Sequence, residues 1–579
     1  MRAIILCLTA VSLFACNPSW AAGGDDRNER SNEKSSPAAE KKSSETAKPG
    51  KPATPNPAIE SELQELRQFV QEQAEKLHGL QQRLADVEGE LAAGKSASTD
   101  AASYATSAVQ PATPAESAAS SAPHAAHQMN DADQEKKASP LYFEIGKAKF
   151  TPGGFVDFTS ITRSTDLGSG IATSFGSIPY SNTTQGRLSE FHFSAQYSRL
   201  SLKVDAPVTD STSLTGYVET DFLGFQPANA YVTANSNSLR MRLFWAQIKH
   251  GKWDVLGGQE WSLLTPNRVG LSPLTSDLFF TLDEDPNFQV GLTWARQAQF
   301  RVTYHPTQKW AVAVSLENPQ QFAPASVVFP STTYLLQFDN GSSATNAASA
   351  TTNTSVPNLH PDVIVKTSYD TQFGQHPFHI EVAGLLRSFR VLNTLTTPSR
   401  TDAVIGGGGS INLNFQLIKN LTFVASSFYS DGGGRYIFGL GPDAIVRPDG
   451  NISAVHSGSG IAGLEWQASP RYMLYSYYGG AYFARNYGFL PNAGSSCAGV
   501  AGFSCVGFGF PGSANSSNRA VQEATFGAIP TLWSNPNYGK LQVITQYSYL
   551  VRSPWSTTPP TPRNAHLSMV YAGLRYILP

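Results

Sequence analysis

Between positions 239 and 304 the chain alternates apolar and polar residues with the two-residue period of a β-strand, and the polar set is too charged for a dry interior. Leu239, Met241, Leu243 and Trp245 alternate with Arg240, Arg242 and Phe244, and a second strand, WDVLGGQEW, follows the turn residues Lys249 to Lys252. A polar segment at 262–286 then carries Asp277, Asp283, Glu284 and Asp285. After it the pattern resumes, with Phe288, Val290, Leu292, Trp294, Phe300, Val302 and Tyr304 in one phase and Gln289, Thr293, Gln297, Gln299, Arg301 and Thr303 in the other. Packed against a second sheet, such a face would hold Arg and Gln away from water. It suits the wall of a tube with a wet bore and an outside that meets hydrocarbon.

Composition narrows the alternatives. The chain has 579 residues with 48 Gly, 37 Pro, 11% aromatic and only 15% charged residues, which favours one large turn-rich β domain with appendages. A net charge of -2 gives the whole molecule no bias toward polyanions, so nucleic acid is not an expected partner. Any ion preference must come from local placement of charge.

Arg2, the apolar run from Ala3 to Phe14 and the small-residue site near Ala21 have the layout of a cleaved secretory leader over 1–21. Cys16 lies in a weak lipoprotein-like box, where Phe14 fits poorly, and an ordinary leader is the expectation. No later segment reaches the ~20 apolar residues of a membrane helix, so strands must do any spanning. Residues 22–57 are charged, Ser/Pro-rich and poor in large apolar groups, a disordered tether. Over 58–93, Ile59, Leu63, Leu66, Val70, Gln73, Leu77, Leu80, Leu84, Val87 and Leu91 repeat at spacings of four and three, a coiled-coil heptad. Such a helix, roughly 50 Å long, has a narrow Leu seam that needs partners, so self-association is expected. An Ala/Ser/Pro linker fills 94–140, and a barrel of about sixteen antiparallel strands is expected within 141–579.

The expected strands run from 154–163 to 564–578 and include a long one at 287–305. Their connections alternate: long at 164–188, 262–286, 318–361, 431–457 and 485–519, tight at 305–309 and 469–470. Long loops on one parity and short turns on the other mark an outer-membrane barrel, with turns and both termini periplasmic. Cys497 and Cys505 sit in the loop SSCAGVAGFSC; with the leader cysteines removed, they alone remain to form a disulfide in an oxidising compartment. No further ligands accompany them, so no metal site is expected.

Opposite the apolar faces lie Arg199, Lys203, Glu219, Asp221, Arg240, Arg242, Arg301, Glu381 and Arg387, which would point into the bore. If segment 262–286 folds inward, Asp277, Asp283, Glu284 and Asp285 would face those arginines and set up a transverse field; an ordinary exposed acidic loop is the plainer reading. Strict alternation aims Arg296 at lipid, which calls for a bulge or a subunit contact there, and Arg163 is expected at the membrane interface. An enzyme is disfavoured: His192, His250, His305, His379 and His566 are scattered, and no Gly-x-Ser-x-Gly elbow precedes a helix. The Gly406 to Gly409 run reads as close packing within a strand, and no cofactor is expected.

Four segments carry a likeness to a known family: SRLSLKV from Ser198, YVETDFLG from Tyr217, LRMRLFWAQIKHGKWDVLGGQEW from Leu239 and RQAQFRVTY from Arg296. With these the chain resembles the DcaP-like trimeric outer-membrane porins. The resemblance implies a sixteen-stranded trimeric barrel, an N-terminal coiled coil and passage of small hydrophilic solutes, leaning toward anions such as dicarboxylates. It also implies that Arg199, Lys203, Arg240, Arg242 and Arg301 supply a basic wall. The later loops match nothing in that family, and the ending Tyr576, Ile577, Leu578, Pro579 lacks the usual terminal aromatic. Two functions follow as expectations: a passive porin in the bacterial outer membrane, or a structural protein with a closed barrel whose periplasmic coiled coil reaches toward peptidoglycan.

Overall fold

The computed structural model describes residues 141–224, 237–273, 278–285, 287–324, 326–330, 335–336, 360–393 and 395–579. The expected leader, tether, coiled coil and linker therefore lie outside the described residues, as do the seam residues Leu63 to Leu91 and Asp277. Nineteen segments hydrogen-bond into one sheet. Setting aside the short pieces Phe143–Ile145, Glu190–Ser194 and Leu335–Leu336, they form sixteen antiparallel barrel strands.

In chain order these are β1 (Ala148–Arg163), β2 (Arg199–Thr209), β3 (Thr212–Asp221), β4 (Arg240–His250), β5 (Trp253–Trp261), β6 (Arg296–Thr307), β7 (Trp310–Glu317) and β8 (Asp362–Phe373). They continue as β9 (His376–Asn393), β10 (Arg400–Ile418), β11 (Leu421–Asp431), β12 (His456–Ser469), β13 (Tyr472–Phe483), β14 (Asn518–Asn535), β15 (Gly539–Pro554) and β16 (Ala565–Ile577). The barrel closes where β1 pairs with β16, in register from Phe155 opposite Ile577 to Arg163 opposite Met569. Closure leaves no sheet edge unpaired. Every tight turn lies at one end, and the long connections share the other, as the connector lengths require.

The strands hold their two faces apart. Outward positions carry exposed apolar residues such as Val156, Phe158, Met241, Phe300, Val382 and Ile411. Exposed Trp253, Trp310, Tyr472 and Trp533 stand beside the turn end, an aromatic girdle of the kind that sits at a membrane interface. Inward positions carry Gln247, Gln299, Arg301, Lys366, Glu381, Asn412 and Glu523, all buried.

Two sequence expectations need correction. At β4 the register against β3 slips between Glu219 and Thr220, whose partners are Leu243 and Met241, so Arg242 is an extra residue in a bulge. Beyond it the phase inverts: Leu243 and Trp245 face inward and buried, whereas Phe244 is exposed on the outside. Second, the expected strand at 287–305 begins only at Arg296. Phe288, Val290, Leu292 and Trp294, expected against lipid, are buried within the barrel, where they pack against Phe175, Phe438 and Trp261. Their alternation serves a loop that is enclosed on both faces.

The Gly406 to Gly409 run does pack closely: a Cβ at Gly408 would meet the Tyr429 carbonyl oxygen at 2.6 Å. Cys497 and Cys505 form the expected disulfide, closing the hairpin Asn486–Cys497 with Val500–Phe508.

Candidate constriction and its charge cluster

The connection 262–295 leaves β5, crosses the bore and touches most of the wall before entering β6. Leu263 N donates to Glu317 of β7 at 2.8 Å, Asn267 N to Glu381 of β9 at 3.1 Å, and Gly270 N to Asp370 of β8 at 3.0 Å. Lys366 of β8 donates to the Thr265 carbonyl at 2.9 Å and pairs with Glu381 at 2.7 Å. His379 bridges Asp370 and Glu381 at 2.7 and 3.2 Å, and Arg268 reaches Glu465 on β12. This first limb of the loop is thus fixed by charge-assisted bonds to four strands.

The second limb crosses to the opposite wall. Leu282 N donates to Gln546 of β15 at 2.9 Å, and Asp283 Oδ1 accepts from Gln546 and Ser548 at 2.7 and 2.9 Å. Val290 N donates to Glu523 of β14 at 2.9 Å. Beside it Gly291 adopts φ +103°, where a Cβ would lie 2.1 Å from the Gly460 carbonyl oxygen. On the facing strand, a Cβ at Gly479 would lie 1.9 Å from the Val290 carbonyl oxygen. Both positions need glycine, because loop backbone and barrel wall touch there without side chains between them.

Asp285 returns toward the first strands and meets the arginines. Its carboxylate accepts from Arg242 Nη1 at 2.6 Å and from Arg240 Nη2 at 3.0 Å, with Arg199 at 3.7 Å and Arg296 at 3.9 Å. Arg242 also pairs with Glu219 at 2.6 Å and Asp221 at 2.9 Å, and Arg240 with Asp221 at 2.6 Å. Arg240 and Arg242, two positions apart, share the inward face of β4 and so reach one carboxylate, while the bulge at Arg242 turns Leu243 inward beside them. Burial alone would raise Asp285; Arg242, Arg240, Arg296 and Arg199 together hold its carboxyl well below the usual range. Burial pushes the Asp283 carboxyl up to about 7 and Glu284 up to about 8, the latter helped by its neighbour Asp285.

The structure therefore brings together Arg199, Arg240, Arg242, Glu219, Asp221 and Asp285 from the expected set. Others stand apart. Lys203 pairs with Asp205 at 3.2 Å nearer the turn end, and Arg301 donates to Gln299 and the Trp261 carbonyl. Arg387 lies between Asp362 and Asp443 at 3.3 and 3.0 Å, tying β9 to the loop at 432–455. Glu284 lines a cavity near the loop end.

Two further arginines, Arg296 expected at lipid from alternation and Arg163 expected at the interface from its place at a strand end, lie elsewhere in the structure. Arg296 does not face lipid: it is the first residue of β6, folded over the Trp261 and Trp294 rings beside the cluster. Arg163 is not interfacial: it is buried in the bore, paired with Glu190 at 2.8 Å and donating to the Gly170 and Ile171 carbonyls of the first loop. Among the described residues no group of three or more His, Cys, Asp or Glu has the arrangement of a metal site.

No family model and no curated protein sequence matches the chain. In shape it is similar to the crystal structure of the outer membrane channel DcaP of Acinetobacter baumannii, with a TM-score of 0.52 and 18% identity over 75% of this chain and 99% of that one. OmpT of Vibrio cholerae aligns with a TM-score of 0.39 and 10% identity over 75% of this chain and 99% of that one. An anion-selective porin from Comamonas acidovorans aligns with a TM-score of 0.40 and 9% identity over 74% and 100%. The likeness to DcaP that the sequence motifs suggest is thus met at the level of the fold.

Proposed function

We propose that the protein is an outer-membrane channel through which small hydrophilic solutes diffuse passively, filtered by size and by the field of the constriction. The observation that carries this reading is a closed barrel, apolar outside and charged inside, whose third long loop sets Asp285 against four arginines across the bore. A wall of that kind is stable with its outer face in hydrocarbon, and opposed charges in a narrow passage orient charged and dipolar solutes. A role as a homotrimer joined through the heptad at 58–93 accompanies this reading.

A leaning toward anions such as dicarboxylates is supported by how the cluster is layered. Arg240 and Arg296 keep side-chain exposures of 27% and 14%, whereas Glu219, Asp221 and Asp285 keep 3%, 2% and 1%. The carboxylates sit behind the guanidinium groups, so the accessible side of the cluster is cationic. The alternative, a structural protein with a closed barrel, draws support from the apolar packing of the loops in the bore, where Leu264, Leu282, Phe288 and Leu292 are fully enclosed.

Reconstitution of the full chain in planar bilayers separates the two. Discrete current steps are the expected result, and a silent bilayer at high protein load would leave the structural role. Under a salt gradient the reversal potential should have the anion-selective sign; cation selectivity that persists after Asp283, Glu284 and Asp285 are neutralised would refute the anion leaning.

A further inference from the structure

At the loop end of the barrel a cavity of about 490 Å³ is lined from the connections at 164–189, 432–455 and 484–517, by Glu284 of the crossing loop and by Pro324 and Ser326. That volume is in the range of small-molecule sites. Its walls offer the rings of Phe175 and Phe438 and the hydroxyls of Ser174, Ser326 and Ser516, with Asn518 at the start of β14. Among the described residues Glu284 is the one charged residue that lines it, and no Lys or Arg does. Its two acidic neighbours are committed elsewhere, Asp283 to Gln546 and Ser548 and Asp285 to the arginines. Arg552, which holds Asn518, spends its donors on the Gly176, Ile178 and Asn515 carbonyls and on Asn518 Oδ1.

A single acid, two aromatic rings and several hydroxyl acceptors are what an organic ammonium group needs. The carboxylate takes its N–H donors, the ring faces attract its charge, and the hydroxyls replace its water. Among the described lining residues an anion would meet one acid and no base. A plain polyol would leave the charge of Glu284 unused.

The geometry points to a binding site at the barrel mouth for small solutes that carry a protonated amine, with Glu284 as the group that takes the ammonium. This deepens the channel reading and rests on it for the route inward, though not for the binding. A solute with an ammonium and a carboxylate would meet Glu284 first and the arginine cluster below it. Affinity should rise from about pH 6 to about pH 8 as Glu284 ionises; the groups acting on it are Asp285 and Asp283 of its own loop, Arg240 of β4 and Arg163 of β1.

Calorimetric titration of the full-length protein in detergent with three four-carbon probes tests this: 1,4-diaminobutane, 1,4-butanediol and succinate. Diaminobutane should bind more tightly than butanediol by a factor of about ten, the worth of a charge-assisted contact, and Glu284→Gln should abolish that difference. Ser516→Lys, at an exposed rim position that leaves the fold alone, should weaken diaminobutane by a similar factor. Equal binding of the diamine and the diol, binding unchanged in both variants, or no binding of diaminobutane would each overturn the assignment. In bilayers the same diamine, added at the loop side, should interrupt the current. A silent bilayer with intact calorimetric binding would sink the channel reading and leave the amine site standing.

Discussion

Arg242 is the residue on which the constriction turns, since it touches Glu219, Asp221 and Asp285 at once and is 1% exposed. Arg242→Ala leaves three carboxylates short of a partner, and removing one member of a buried ionic group typically costs about 3–5 kcal/mol. Urea unfolding in lipid vesicles should register that loss, and the reversal potential should move toward cations. Asp283 and Asp285, two positions apart, respond oppositely to pH. Asp285 is depressed, so its stabilisation is present above the ordinary carboxyl pKa of 3.8 and persists through mild acid, to be lost only as pH falls through its own lower value. Asp283 is raised to about 7, so the folded loop keeps a proton that an unfolded one releases; its contribution is full below 3.8 and is lost as pH rises through about 7. The loop should therefore loosen from β15 in alkali while it stays held at the arginines. The charged and titratable groups facing Asp283 are Glu523, Tyr475, Tyr571, Arg163 and its chain neighbour Glu284. Amide protection over 278–285 and 287–292, measured as the exchange rate relative to that of the unstructured chain at the same pH, should be lower at about pH 8.5 than at about pH 5.5, and Asp283→Asn should flatten the difference. The wall arginines at 240 and 242 were legible from alternation alone. Arg163 and Arg296 were not, because each pairs with a loop, and a two-residue period carries no information about what folds back over a strand.

At the scale of elements, loop 262–295 and the strands it crosses are fitted by absence of side chains as much as by bonds. Gly479→Val would put a Cβ 1.9 Å from the Val290 carbonyl oxygen, so the loop must lift from β13. Overpacking of this kind costs about 1–3 kcal/mol. Strand pairing around Gly479 does not depend on it, so the barrel should still form, with larger and noisier single-channel currents than the parent. A variant with unaltered currents would mean that the loop does not limit flow. The strand boundaries were readable because each inward–outward alternation ends at a tight turn or a long polar run. Segment 287–295 misled for a physical reason: a chain enclosed between Phe438 and the wall needs apolar residues at the same spacing as one facing lipid. The bulge at Arg242 was equally silent, since one inserted residue leaves both flanking patterns intact and only exchanges their faces.

For the whole molecule, the apolar outside and charged inside are the two halves of one requirement, and a single misplaced charge tests it. Ile411, outward and 54% exposed, is opposite Val382 in the register. Ile411→Arg should destabilise the protein in vesicles by about 2–4 kcal/mol if that position lies near the bilayer midplane, and much less in detergent, where the belt can adapt. Equal loss in both media would contradict a lipid-facing wall. The barrel and its polarity were legible because sixteen amphipathic strands repeat one message, whereas the path of the loop depended on contacts far apart in the chain, such as Leu282 with Gln546.

The same crossing loop bears on mechanics. A tube of sixteen strands can flatten unless something spans its section. Bonded to β4, β8, β9, β12, β14 and β15, the loop works as a spoke across the section. It fixes the diameter along its own direction, so the section of the tube at that level keeps its shape.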